Sequence, residues 1–137
     1  MLDKDVKSGN VTYPNPSIPQ ANPVFLVLER DILIAEDIVA SLKDIGPCQT
    51  VHVSDPQALI EHLSDYTRIS AAFLEMRFDQ MVELGLDRRL ADMGARVVLT
   101  IGEDDESLAL AHGWSMLVRP FTDEMIRATL ANTTSKA

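Results

Sequence analysis

Cysteine is nearly missing from this chain of 137 residues: Cys48 is the only one. One thiol cannot staple a fold, which excludes the disulfide-rich scaffolds and fits a reducing cytoplasm. Basic side chains are outnumbered, with 12 Lys and Arg against 21 Asp and Glu and a formal net charge of −9. That balance speaks against nucleic acid, whose phosphates require clustered Lys and Arg. It also speaks against anionic membrane surfaces. Long apolar runs are lacking too, since none approaches the roughly 18 residues of a membrane span. The opening stretch MLDKDVKSGNVTYPNPSIPQANP has no apolar core segment, so no secretion signal is expected and the sequon at Asn10 means nothing. His52, His62 and His112 are spaced too widely for a metal-ligand pattern and read as scattered structural or surface residues.

What the chain does have is enough apolar material, 46%, to fill the core of one ordinary domain. Residues 1–23 stand apart from it. Pro14, Pro16, Pro19 and Pro23 fall there among Asn, Ser and Gln, the composition of an extended or disordered tail. The folded domain is expected over 24–133, with a short tail over 134–137.

From Val24 onward the pattern alternates. VFLVLE (24–29) is a continuous apolar run, as a strand covered on both faces requires. DILIAEDIVASLKDIG reads as a helix with Ile34, Ile38, Leu42 and Ile45 on one face and Gly46 able to close it. QTVHV (49–53) is a second strand. Asp55-Pro56 then opens a helix, with Asp as N-cap and Pro at the first helical position, and Leu59, Ile60 and Leu63 as its apolar face. SAAFLE (70–75), RVVLT (96–100) and WSMLV (114–118) are three more strands. The helices between and after them are expected near 83–93, within GEDDESLALAH, and from Thr122 to about Leu130, the last with Met125, Ile126 and Leu130 on its apolar side. Strands alternating with helices mean βαβ units, right-handed crossovers and a parallel sheet with helices on both faces. Function then belongs at the C-terminal ends of the strands, where Glu29-Arg30, Val53-Ser54, Glu75, Thr100 and Arg119 fall.

These landmarks carry a family resemblance. LERDILIAED (28–37), AAFLEM (71–76), VVLT before Ile101-Gly102, and LVRPF (117–121) resemble, in order and spacing, the receiver domain of bacterial two-component response regulators. The resemblance covers about Val24 to Leu130. It implies a flavodoxin-like α/β fold, a doubly wound (βα)5 three-layer sandwich with a five-stranded parallel sheet of order 2-1-3-4-5. It also implies site residues: Glu75 at the phospho-acceptor, Glu29 and Arg30 at the acidic pair, Thr100 and Met116 at the switch positions, and Arg119 with Pro120 at the Lys-Pro. Whether Pro120 is cis stays open.

The chain departs from the family where the chemistry is done. Glu75 replaces the acceptor Asp, Arg30 replaces a metal-binding acid, and Arg119 replaces the Lys. The pattern is that of a degenerate, pseudo-receiver variant. Mg²⁺ wants carboxylate oxygens, and a guanidinium offers no lone pair and is always charged. Mg²⁺ binding is therefore expected to be weak or absent, with Arg30 standing permanently in place of the metal's charge beside Glu75 in a partly buried cleft. Glu75 has two readings that stay open: a built-in mimic of the phosphorylated state, or a structural ion-pair partner. Asp31 reads first as the N-cap of the first helix. Arg77, where the family uses a backbone carbonyl for metal, is expected to be solvated.

The expected role follows from the resemblance. It is a stand-alone module, not an enzyme and with no catalytic residue, that binds a histidine kinase, a phosphotransfer protein or another regulator in phosphorelay signalling. Nucleic acid and membrane are not expected partners, and the cytoplasm is the expected location. The family's interaction surfaces are helix 1 and the helix 4–strand 5–helix 5 face. On the latter a homodimer can form and Trp114, Met116 and Leu117 are candidates, with a core role weighing at least as much. The competing reading is a working phosphate sink, with Glu75 or Asp79 as acceptor. A flavodoxin-type small-molecule binder is disfavoured because the loop ERDIL has no Gly, Ser or Thr to cradle phosphate.

Overall fold

Continuous apolar runs become strands here because each is buried on both faces. The computed structural model describes residues 22–101, 106–118 and 121–135. Its strands are β1 (Val24–Leu28), β2 (Gln49–Val53), β3 (Ala71–Leu74), β4 (Arg96–Leu99) and β5 (Ser115–Met116). They form one five-stranded sheet, all parallel, in the order β2-β1-β3-β4-β5. Six helices among the described residues cover it: α1 (Ile32–Ile45), α2 (Pro56–Leu63), α3 (Phe78–Glu83), α4 (Leu86–Asp92), α5 (Glu106–Ala111) and α6 (Asp123–Ser135). None is long and apolar enough to cross a membrane.

Strand alternation sorts the core into two layers. Leu26, Leu28, Ala72, Leu74, Val97 and Leu99 pack with residues of α2 to α5, while Phe25, Val27, Ala71, Phe73 and Val98 pack against α1 and α6. The doubly wound sandwich expected from the sequence is the observed fold. The buried hydroxyl of Ser41 on α1 donates to Asp123 Oδ1 at the start of α6 at 2.5 Å, pinning the two helices of one layer together.

Local signals act largely as their chemistry dictates. Asp31 caps α1, its Oδ1 accepting from the Leu33 and Ile34 N–H groups at 3.0 and 3.4 Å. Asp55 caps α2 by accepting from Ala58 N–H at 2.9 Å, with Pro56 at the first helical position.

Five expectations need correction. The buried stripe of α1 is Ala35, Ile38, Ser41 and Leu42, and Ile45, the last residue of the helix, is 48% exposed. Gly46 follows α1 in extended backbone, φ 166°, rather than in the left-handed conformation of a glycine cap. The helix after β3 starts five residues early, at Phe78, and is split in two by Gly85, whose φ of 71° is left-handed. The last helix runs past Leu130 to Ser135, so the tail drawn from 134 begins inside it. On that helix Ile126 is buried but Met125 is 36% exposed. The N-terminal tail lies outside the described residues except for 22 and 23, and Gly102, Arg119 and Pro120 lie outside them too.

Candidate functional site

The register of the central strands puts three polar residues in one row. Leu28 pairs with Leu74, and Leu74 with Leu99, so the next residues, Glu29, Glu75 and Thr100, leave the sheet together. Their backbones are still held by it: Glu75 N–H donates to Leu28 C=O and Thr100 N–H to Leu74 C=O, each at 2.9 Å. Glu29 N–H donates to Val53 C=O at 3.1 Å. The row therefore has the rigidity of the sheet rather than of a loop.

Glu29 is completely buried. Its Oε2 accepts from the Asp31 N–H at 3.1 Å, at the entry to α1. Its carbonyl accepts from His52 Nε2 at 2.8 Å, so the neutral ring carries its proton on that nitrogen. His52, read from the sequence as one of several scattered histidines, thus props the first acid of the site. The signal that could have found it is the place of His52 near the C-terminal end of the adjacent strand.

Glu75 has a side chain 12% exposed, and Arg30 holds both of its oxygens. The Arg30 main-chain N–H reaches Oε1 at 2.8 Å, Nε reaches the same oxygen at 3.5 Å, and Nη2 reaches Oε2 at 3.3 Å. The side-chain hydrogen bond that Arg30 donates to Glu75 raises the Arg30 pKa above its ordinary value, with the charges of Glu75 and Glu29 adding to it. The pairing is as expected from the sequence, but its setting is not. The Arg30 side chain is 76% exposed and lies on the rim rather than in a partly buried cleft. Its guanidinium reaches Glu75 from the solvent side while the main chain stays close.

Beside the clamp, Arg77 Nε donates to Asp79 Oδ1 at 3.3 Å, and both side chains are largely solvated. Asp79 also accepts from Gln80 N–H at 2.8 Å at the start of α3. A cavity of about 240 Å³ opens between Arg30, Glu75 and Arg77, with Ser54 and Gln80 on its wall. Ser54 lies at one of the strand ends where function was expected, whereas Gln80 carried no sequence signal, since a Gln in a short helix is common on any surface. Thr100 is buried. Met116 and Trp114 are half-buried against the core layer under α2 to α5, and Leu117 is buried, so all three behave as core-packing residues.

The resemblance implies Mg²⁺, and these residues fit it poorly. Both Glu75 oxygens take Arg30 donors and Glu29 Oε2 takes a backbone N–H. Among the described residues no group of three His, Cys, Asp or Glu side chains converges on a point that could hold an ion.

A parallel five-stranded sheet of order 2-1-3-4-5 between two helical layers, with its polar row at the strand ends beside the switch point, defines a flavodoxin-like doubly wound protein. Within that class, the structure is similar to the crystal structure of a response regulator receiver protein from Burkholderia phymatum, with TM-score 0.61 and 22% identity over 80% of this chain and 96% of that one. The receiver fold is therefore established by shape. No protein-family model and no curated protein matches the sequence.

Proposed function

We propose that this chain is a receiver-type protein-binding module of two-component signalling that works without Mg²⁺-dependent phosphorylation at its acceptor position. The observation that carries this reading is the occupation of both Glu75 oxygens by Arg30. Phosphoryl transfer to a carboxylate needs an oxygen free to attack in line and a metal to neutralise the phosphoryl oxygens. Here the attacking oxygens are engaged and a guanidinium stands where the metal's charge would be needed. The main-chain bond from Arg30 to Glu75 ties the entry of α1 to the end of β3. That geometry keeps the row in one arrangement, so partners meet a fixed surface. A histidine kinase, a phosphotransfer protein or another regulator in the cytoplasm is the partner class the fold likeness supports.

The test is incubation of the chain with acetyl phosphate and millimolar Mg²⁺, read by intact-mass spectrometry. The expected mass is unchanged. Addition of one phosphoryl group would overturn the proposal. The double variant Arg30→Asp with Glu75→Asp rebuilds an acidic pair and a shorter acceptor, and it is expected to gain Mg²⁺ affinity and a phosphorylated species.

A second reading, a working phosphate sink, rests on one observation: with 76% of its side chain exposed, Arg30 can leave the site cheaply. The same mass measurement separates the two.

A further inference from the structure

The opposite end of the sheet holds a cavity of about 290 Å³ that plays no part in the reading above. Ser70 precedes β3 on its wall, Arg96 begins β4, and Trp114 precedes β5, while α4 contributes Asp87 and Ala91 and His112 follows α5. The volume sits at the small end of the range for ligand pockets.

Two features mark it as more than a surface dent. Arg96 Nε is buried and, among the described residues, meets no hydrogen-bond acceptor. Burial also lowers the Arg96 pKa, in keeping with an Nε–H that has left water without finding an acceptor among the described residues. Trp114, in turn, is held in place. Its ring lies 5.4 Å from Phe78 and 5.1 Å from His112, and those two rings meet edge-on at 4.8 Å. Its main-chain N–H donates to Ala109 C=O at 2.9 Å. Gly113, beside it, has open space where a side chain would be.

We propose that this cavity binds a small planar monoanion, an aromatic or heteroaromatic carboxylate, between Arg96 and Trp114. A guanidinium fork matches a carboxylate in plane and supplies two donors to it. A fixed indole offers a flat face to a ring. Asp87 on the same wall repels a second negative charge, which selects a monocarboxylate over phosphate esters and polyanions. The volume admits one ring or two fused rings.

Trp114 is the only tryptophan, so one indole N–H signal in a ¹H–¹⁵N NMR spectrum reports on the cavity directly. The full chain is titrated with sodium benzoate, and in parallel with benzamide and inorganic phosphate. Benzoate is expected to shift the Trp114 indole and the Gly94 and Gly113 amides saturably, in the low millimolar range suited to so small a ligand. Benzamide should bind at least tenfold more weakly, and phosphate should leave these signals in place. Arg96→Gln should weaken benzoate at least tenfold while the spectrum stays dispersed. Asp87→Asn, on a helix surface, should tighten it and provides the test if Arg96→Gln does not fold. The proposal is overturned if benzoate gives no saturable shift at Trp114, if benzamide binds equally well, or if Asp87→Asn fails to tighten binding.

Discussion

Glu29 and Glu75 stand side by side at the ends of neighbouring strands, yet the protein holds them by opposite means. Glu29 is sealed from water and anchored by backbone N–H at the helix entry and by the His52 contact to its own carbonyl. Glu75 keeps a little exposure and is anchored by a neighbour whose side chain is mostly in solvent. The first arrangement is structural, because a buried carboxylate that loses its partner cannot turn to water. The second is adjustable, because everything the guanidinium gives Glu75 can be replaced by water or by another protein. Function is therefore expected at Glu75 and stability at Glu29.

Replacing Glu29 tests the structural half and has the largest expected effect. Glu29→Ala removes the acceptor of the Asp31 N–H and leaves a small void under α1. A loss of about 2 kcal/mol in urea unfolding is expected from the stranded donor and the cavity together. A midpoint equal to or above that of the parent would show that the buried acid is held for function at the expense of stability.

Asp31, whose N–H donates to Glu29, has an intermediate expected effect. Its carboxylate caps α1, so Asp31→Ala should cost about 1 kcal/mol, and Asp31→Asn, which caps equally well, should cost almost nothing. The same unfolding series separates cap from pocket: if Asn destabilises as much as Ala, the negative charge of Asp31 matters to the acidic row and not only to the helix.

Much of this was legible in the sequence because burial writes itself in runs. VFLVL and AAFL, short apolar runs in an alternating pattern, read as strands covered on both sides, and the first polar residue after each surfaces at the same edge once the registers align. Asp55-Pro56 and Asp31 were legible because capping is local chemistry. The harder features depend on long side chains and on distant packing. Nothing in ERD says that Arg30 will send its main chain to Glu75 and reach it with its guanidinium from the exposed rim. Nor does WSMLV say that the strand proper will be only Ser115 and Met116, with Leu117 N–H still donating to Leu99 C=O at 2.9 Å just past it. The cavity beside Trp114 was invisible for the same reason: Ser70, Asp87, Arg96 and His112 meet only through the topology.

Arg30→Ala has the smallest expected effect on stability and sharpens the contrast most. The guanidinium is solvated, so its removal should leave the unfolding midpoint within error of the parent. It removes the side-chain donors that Arg30 gives Glu75 but leaves the main-chain one, because the N–H of residue 30 still donates to Oε1 at 2.8 Å whatever the side chain is. Two blocks to phosphorylation thus act in series, one from the side chain and one from the backbone and the extra methylene of Glu. If both matter, Arg30→Ala stays inert toward acetyl phosphate and only the paired change to Asp at both positions becomes a substrate. A single Arg30→Ala variant that gains a phosphoryl group would mean that the guanidinium alone was the gate, and that the backbone contact to Glu75 constrains nothing.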